Sequence, residues 1–168
     1  MTDGCGRRQL DAKYLESAVN LYCAAEILDN DVAELREAGY HIVRADTSAW
    51  LRAGDVHSAL SLLFDFPGHY GRNWNAFNDC MRDVRDREYG FPAAASGLVL
   101  VLTGFDVFAA RYPDDAHTLL DRYADHQRAA LIDGDRLVCL VQSADPRLIL
   151  APVGAMAPRW NRAEWSDR

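Results

Sequence analysis

Five stretches of the chain place apolar side chains at helical spacing, and three short segments are dominated by aliphatic and β-branched residues. In residues 9–28, Leu10, Tyr14, Leu15, Ala18, Val19, Tyr22 and Cys23 recur every three or four positions, predicting an amphipathic helix. A second helix fits residues 31–38, with Val32 and Leu35 turned inward and Gly39 as its stop. Residues 40–45, with Ile42 and Val43, read as the first strand. A helix over 55–64 opens on Asp55 and is ended by Pro67 and Gly68. The next is capped by Asn73 and runs to about residue 85, with Trp74, Phe77, Cys80, Met81 and Val84 as its apolar positions.

Residues 98–102 are continuously apolar between Gly97 and Gly104, as in a strand covered on both faces. Asp114 or Asp115 then caps a helix over 116–130, and residues 137–141 form the third strand. This order predicts an α/β fold, a small parallel sheet flanked by helices with right-handed crossovers. Residues 1–8 show no periodicity, and 1–39 as a whole read as a helical extension packed on a domain spanning 40–142. The tail over 143–168 carries Pro146, Pro152 and Pro158, alternates Leu148 and Leu150, and is a candidate for an edge strand folded over the surface.

At 168 residues the chain is long enough for one domain with its own core. Its net charge of −7 repels phosphate, which argues against general nucleic-acid binding. The cations are seventeen arginines and Lys13, leaving one candidate for lysine chemistry. No apolar run has the length of a membrane span or the place of a signal-peptide core, and the four cysteines form no C-x-x-C pair. A cytoplasmic protein with reduced thiols is the expectation, without cofactor or metal.

Residues 66–81 carry the most information. A Pro-Gly turn and an aromatic-flanked loop lead straight into a helix, whose spacing puts Asn75, Asn78 and Asp79 on one face with Asp83 a turn further on. Such a polar stripe, presented by a tight loop, suits recognition, although a solvated helix face looks the same. Gly71 is expected to permit a left-handed or close-packed turn, and Asn73 to act as a cap. An enzyme is disfavoured. G-x-S-x-G, P-loop, G-x-G-x-x-G and H-E-x-x-H motifs are all missing, His57 and His69 fit no zinc spacing, and the His117, Asp121, Asp125 stripe is most simply solvated.

The loop resembles the barstar family of ribonuclease inhibitors through its Pro-x-x-Tyr-Gly-x-Asn signature. Pro67, Tyr70, Gly71, Asn73, Ala76, Asp79 and Cys80 match position by position, and a weaker likeness extends over residues 40–142. The resemblance implies a three-stranded parallel sheet between helices. It also implies an inhibitor or immunity protein that blocks a secreted or toxin ribonuclease, barnase-type or guanyl-specific, through the 67–81 loop and helix. The carboxylate aligned with Asp79 would take the place of a substrate phosphate among the nuclease's cations. Partner contacts are then expected from His69, Tyr70, Gly71, Asn73, Trp74, Asn75, Asn78 and Asp79, with Asp125 supplying a second acidic contact by helical pattern.

The family often has an acidic residue where Asn75 stands and an aromatic where His69 stands. Charge modifies the picture further. Residues 67–90 hold four arginines (72, 82, 85 and 87) against Asp79, Asp83, Asp86 and Glu88, so the binding helix has no net charge. Residues 106–135 hold seven acids against three arginines and can supply the negative field instead. A ribonuclease different from barnase, or less basic than it, is expected as the partner. The alternative is a non-inhibitory interaction module on the same fold, with residues 9–38 as a docking or dimerisation arm; a monomer is favoured.

Overall fold

Period-two alternation in the two apolar runs sets the architecture. Leu98, Leu100 and Leu102 face one core while Val99 and Val101 face another, and Leu137, Cys139 and Val141 divide from Val138 and Leu140 in the same way. Both runs are therefore central strands with helices on each side. Each fully buried Leu or Val contributes roughly 1.5–3 kcal/mol relative to exposure.

The computed structural model describes residues 4–165. Its strands are β1 (Asn20–Tyr22), β2 (His41–Asp46), β3 (Leu98–Thr103), β4 (Leu137–Gln142) and β5 (Arg159–Trp160). All pair in parallel, in the order β2-β3-β4-β1-β5. Helices α1 (Gly4–Tyr14) and α2 (Ala25–Glu37) cover one face, through Tyr14, Leu28, Val32 and Leu35. Helices α3 (Asp55–Leu63), α4 (Trp74–Arg85), α5 (Phe105–Arg111) and α6 (Pro113–Ile132) cover the other.

The sheet has five strands where pattern and resemblance predict three. The two additional strands come from the flanks. Without them the outer edge of β4 would present a row of unpaired amides and carbonyls. Residues 20–22 fill that edge, with Asn20 opposite Leu140 and Tyr22 opposite Gln142, and β5 adds Trp160 opposite Leu21.

The helix expected over 9–28 is accordingly overturned. It is α1, a break, β1 and the start of α2. Ser17 Oγ donates to the Val19 carbonyl at 2.9 Å, and Asn20 Nδ2 donates to the carbonyls of Tyr14 and Cys139. Such local side-chain bonds compete with helix continuation. At the other end, residues 4–8 are helical, bringing Asp11 to Arg136 in a two-bond ion pair at 2.8 and 2.9 Å. The first three residues lie outside the described range.

Helix α5 has no counterpart in the sequence reading, and α6 opens on Pro113 rather than behind an aspartate cap. In the tail, Leu148 and Leu150 pack on the core without forming a strand, and the edge strand lies later, at β5. Glu164 beyond it accepts from the Cys23 and Ala24 amides at 2.8 and 3.0 Å, supplying an anion at the N-terminus of α2. His117 and Asp121 also tie down the tail, through the Pro152 carbonyl at 3.1 Å and the Gly154 amide at 2.9 Å. Their stripe is therefore not simply solvated.

Candidate functional site

The loop between α3 and α4 is held from beneath by aromatic side chains. The Tyr70 amide donates to the Pro67 carbonyl at 2.9 Å, closing a turn that sends the Tyr70 ring inward. There Tyr70 is buried against Phe66, with ring centroids 4.8 Å apart, and its hydroxyl lies 2.6 Å from His57 Nδ1 on α3. Burial lowers the proton affinity of His57, which favours the neutral ring in this apolar setting.

His57 also packs against Trp74, centroids 4.7 Å apart, and the Trp74 indole donates to Asp115 of α6 at 3.1 Å. Helices α3 and α6 thus converge on the first residue of α4.

Asn73 is the cap. Its side chain accepts from the Ala76 amide at 2.9 Å, and its Nδ2 donates to the Gly71 carbonyl at 3.2 Å. The left-handed residue in this turn is Arg72, at φ +51°, not Gly71. A Cβ at Gly71 would sit 3.3 Å from Asn73 Nδ2 and 3.4 Å from Ala76 Cβ, a close fit without collision. Arg72 meets Ser58 Oγ at 2.9 Å, and this contact holds the strained residue against α3.

Helix α4 buries Phe77, Cys80, Met81 and Val84 and turns its other side outward. Asp79 stands on that outer side with 73% of its side chain exposed, its only ion pair among the described residues a loose one to Arg82 at 3.6 Å. Asn75 is exposed beside it, and His69 and Gly71 are exposed on the loop. Trp74 is half-buried, and Asn78 turns towards α6, where its Oδ1 lies 3.3 Å from Nε2 of buried His126. Desolvation and the charges of Arg85, Arg82 and Arg122 hold His126 down at about 4. Asp125 is half-exposed on α6 and is bonded to Arg128.

His69, Gly71, Asn75 and Asp79 are thus each exposed, with Asn75 and Asp79 one turn apart on α4, and Asn73 shapes the turn before them. Tyr70 is buried beneath the loop and Asn78 meets His126 between α4 and α6, whereas Asp125 is bonded to Arg128, which reaches the tail at the Gly154 carbonyl. Sequence reasoning missed the supports: His57, Asp115 and His126 lie 13, 41 and 48 positions from Tyr70, Trp74 and Asn78, the residues they meet, and no spacing rule connects them. Cys80 and Cys139 are buried free thiols, the latter pushed up to about 12 by burial.

The chain is a parallel-sheet α/β protein with a capped, carboxylate-bearing helix following an aromatic-backed loop. The family model of barstar, the barnase inhibitor, matches residues 40–142, and the chain belongs to the barstar family. No curated protein matches it significantly. The matched span contains β2, β3, β4 and α3 through α6, whereas α1, β1, α2 and β5 lie outside it. No helix among the described residues is long and apolar enough to cross a membrane.

Proposed function

We propose that this protein inhibits a ribonuclease by seating the 67–73 loop and the first turns of α4 in the nuclease's catalytic groove. The observation that carries this reading is Asp79, an exposed carboxylate with one loose ion pair, on a helix whose opposite side is fully buried. A groove that binds RNA phosphate must present cations. A carboxylate held in position loses little conformational freedom on meeting them and gains charge-assisted hydrogen bonds.

Asp79 takes the role of the phosphate. His69, Gly71 and Asn75 supply the surrounding contact surface, and Asn78 and Trp74 border it. Tyr70 and Asn73 act from behind, by fixing the loop. Asp125 is a secondary contact, since Arg128 already occupies its carboxylate. The reaction partner is a secreted or toxin ribonuclease met in the cytoplasm, and binding is stoichiometric, without cofactor or catalysis.

The test titrates the full chain into a fixed amount of barnase, and separately of a guanyl-specific ribonuclease, while RNA cleavage is followed. Loss of activity ending at one equivalent supports the proposal. Full activity with both at saturating protein favours the alternative, a non-inhibitory interaction module.

A further inference from the structure

The two flanking segments outside the family match meet over the β1–β5 edge of the sheet and enclose a cavity of about 500 Å³. Small-molecule sites span roughly 300–1,000 Å³, so the space suits a ligand larger than a water. One wall is α1, where Gln9, Ala12 and Lys13 share a helical face and Glu16 follows just past its end. The floor is the sheet itself. Asn20 lies opposite Arg159 in the β1–β5 register, so the two side chains leave the same face, and Asn161 follows two residues later on that face. Asn161 Nδ2 donates to Asp31 of α2 at 2.8 Å, which brings Asp31 to the same floor.

The polar groups at depth are acceptors. Asn20 is 8% exposed, and its Nδ2 donates to the Tyr14 and Cys139 carbonyls at 3.0 and 3.3 Å. Those two bonds fix which side of the amide is the donor and leave Oδ1 for the cavity, where it accepts no hydrogen bond among the described residues. Asp31, also 8% exposed, accepts from Lys13 at 2.9 Å and from Tyr22 and Asn161 at 2.8 Å each. Lys13 is shared with Glu34 at 2.6 Å, so one cation faces two carboxylates and a negative charge is left over. The other cations stand at the exposed mouth, Arg159 paired with Glu16 at 3.0 Å and Arg162 beside it.

A buried amide oxygen without a donor costs free energy, and surplus negative charge next to it favours a donor that is also a cation. We infer that this cavity binds a small molecule through a primary ammonium group, which donates to Asn20 Oδ1 while the Asp31 cluster supplies the opposite charge. A plain amine and an α-amino acid both carry that group, and the amino acid would place its carboxylate towards Arg159 at the mouth. The cavity lies on the α1–α2 face of the sheet and the 67–81 loop packs on the other, so the inference does not depend on the ribonuclease reading.

Butylamine and free alanine are the probes, titrated separately into the full chain by calorimetry at low ionic strength. Tetramethylammonium, a cation of the same charge with no N–H, is the control. In the isotope-labelled chain, nuclear magnetic resonance follows the Asn20 side-chain amide. The expected result is saturable binding of a primary amine with a shift of that amide signal, at least about tenfold tighter than tetramethylammonium, the worth of one charge-assisted contact. Tighter binding of alanine assigns an amino acid, and tighter binding of butylamine assigns a plain amine.

Ala12→Phe fills the cavity from the α1 wall without touching its polar groups, and Ala12→Leu is a milder block should the larger ring disturb the helix. Either variant should weaken amine binding at least tenfold at an unchanged melting temperature. No saturable binding of either amine, or equal binding of tetramethylammonium, overturns the site. Wild-type affinity in both folded variants places the amine elsewhere and overturns it as well. None of these results bears on whether the loop inhibits a ribonuclease.

Discussion

The Tyr70 hydroxyl and Nδ1 of His57 lie 2.6 Å apart, and both side chains are buried beneath the 67–73 loop. The contact joins the signature turn to α3, and Trp74 continues it to α6 through Asp115. A conformation that is fixed before binding does not have to be ordered during it, which conserves affinity.

Tyr70→Phe keeps the ring and removes the hydroxyl. His57 Nδ1 is then left without a partner in a buried setting, which costs about 1–3 kcal/mol. Chemical denaturation should show that loss, and ribonuclease affinity should fall with it because the loop is less firmly held. An unchanged denaturation midpoint would mean that this bond contributes nothing to the loop.

Two glycines near the site should respond very differently to alanine. At Gly71 a Cβ fits, so Gly71→Ala should change stability by less than about 1 kcal/mol and act mainly on binding. At Gly90, φ is +68° and a Cβ would lie 2.2 Å from the Phe64 carbonyl oxygen. Gly90→Ala should therefore lose more than about 2 kcal/mol, since the end of α3 has to move. Thermal melting of the two variants compares them directly, and equal losses would contradict the geometry.

Acid should destabilise the fold through its buried histidines. His126 is held at about 4 against an ordinary 6.5, so the unfolded chain takes up the proton first. The stability associated with the neutral ring is fully present above pH 6.5 and is lost as the pH falls towards 4, on the order of 3 kcal/mol in all. His57 titrates in the same direction. His126→Gln can still meet Asn78, and it should flatten the fall in melting temperature between neutral and mildly acidic pH. Parallel pH profiles for wild type and variant would exclude His126 as the cause.

The tail acts on the first helices of the chain through Glu164. Glu164→Ala removes the acceptor for the Cys23 and Ala24 amides, where α2 has no side-chain cap of its own. A loss of about 0.5–2 kcal/mol is expected, with ribonuclease binding unaffected because the site lies on the other face of the sheet. Hydrogen exchange should quicken in the first turn of α2, and protection equal to wild type would show that the tail does not stabilise it.

The central elements were legible because their patterns are unambiguous: a continuous apolar run such as 98–102, bounded by glycines, has few other readings. Residues 18–23 were misread because Ala18, Val19, Tyr22 and Cys23 satisfy helical spacing while Val19 and Leu21 also satisfy strand alternation. Pairing with β4, a partner more than a hundred residues away, decides between them. Asn73 as a cap and Asp79 as an outward carboxylate follow from local spacing. The positions of His57, Asp115 and His126 do not, since tertiary packing alone brings them to the loop. Of the two turns expected to need Gly71, left-handed or close-packed, the backbone takes the second: the left-handed residue is Arg72, bonded to Ser58 of α3, while Gly71 packs closely against Asn73 and Ala76.

Asp79→Ala tests the whole account most directly. The side chain is exposed and contributes little to the fold, so circular dichroism and melting temperature should match wild type. Affinity for a ribonuclease that the wild-type chain inhibits should fall by at least about 2 kcal/mol, the lower end of what truncating one member of a buried interfacial charge pair costs, in a range that draws on the barnase–barstar pair itself. A dissociation constant equal to that of wild type, measured calorimetrically on the same nuclease, would contradict the assignment of Asp79 as the group that takes the place of phosphate.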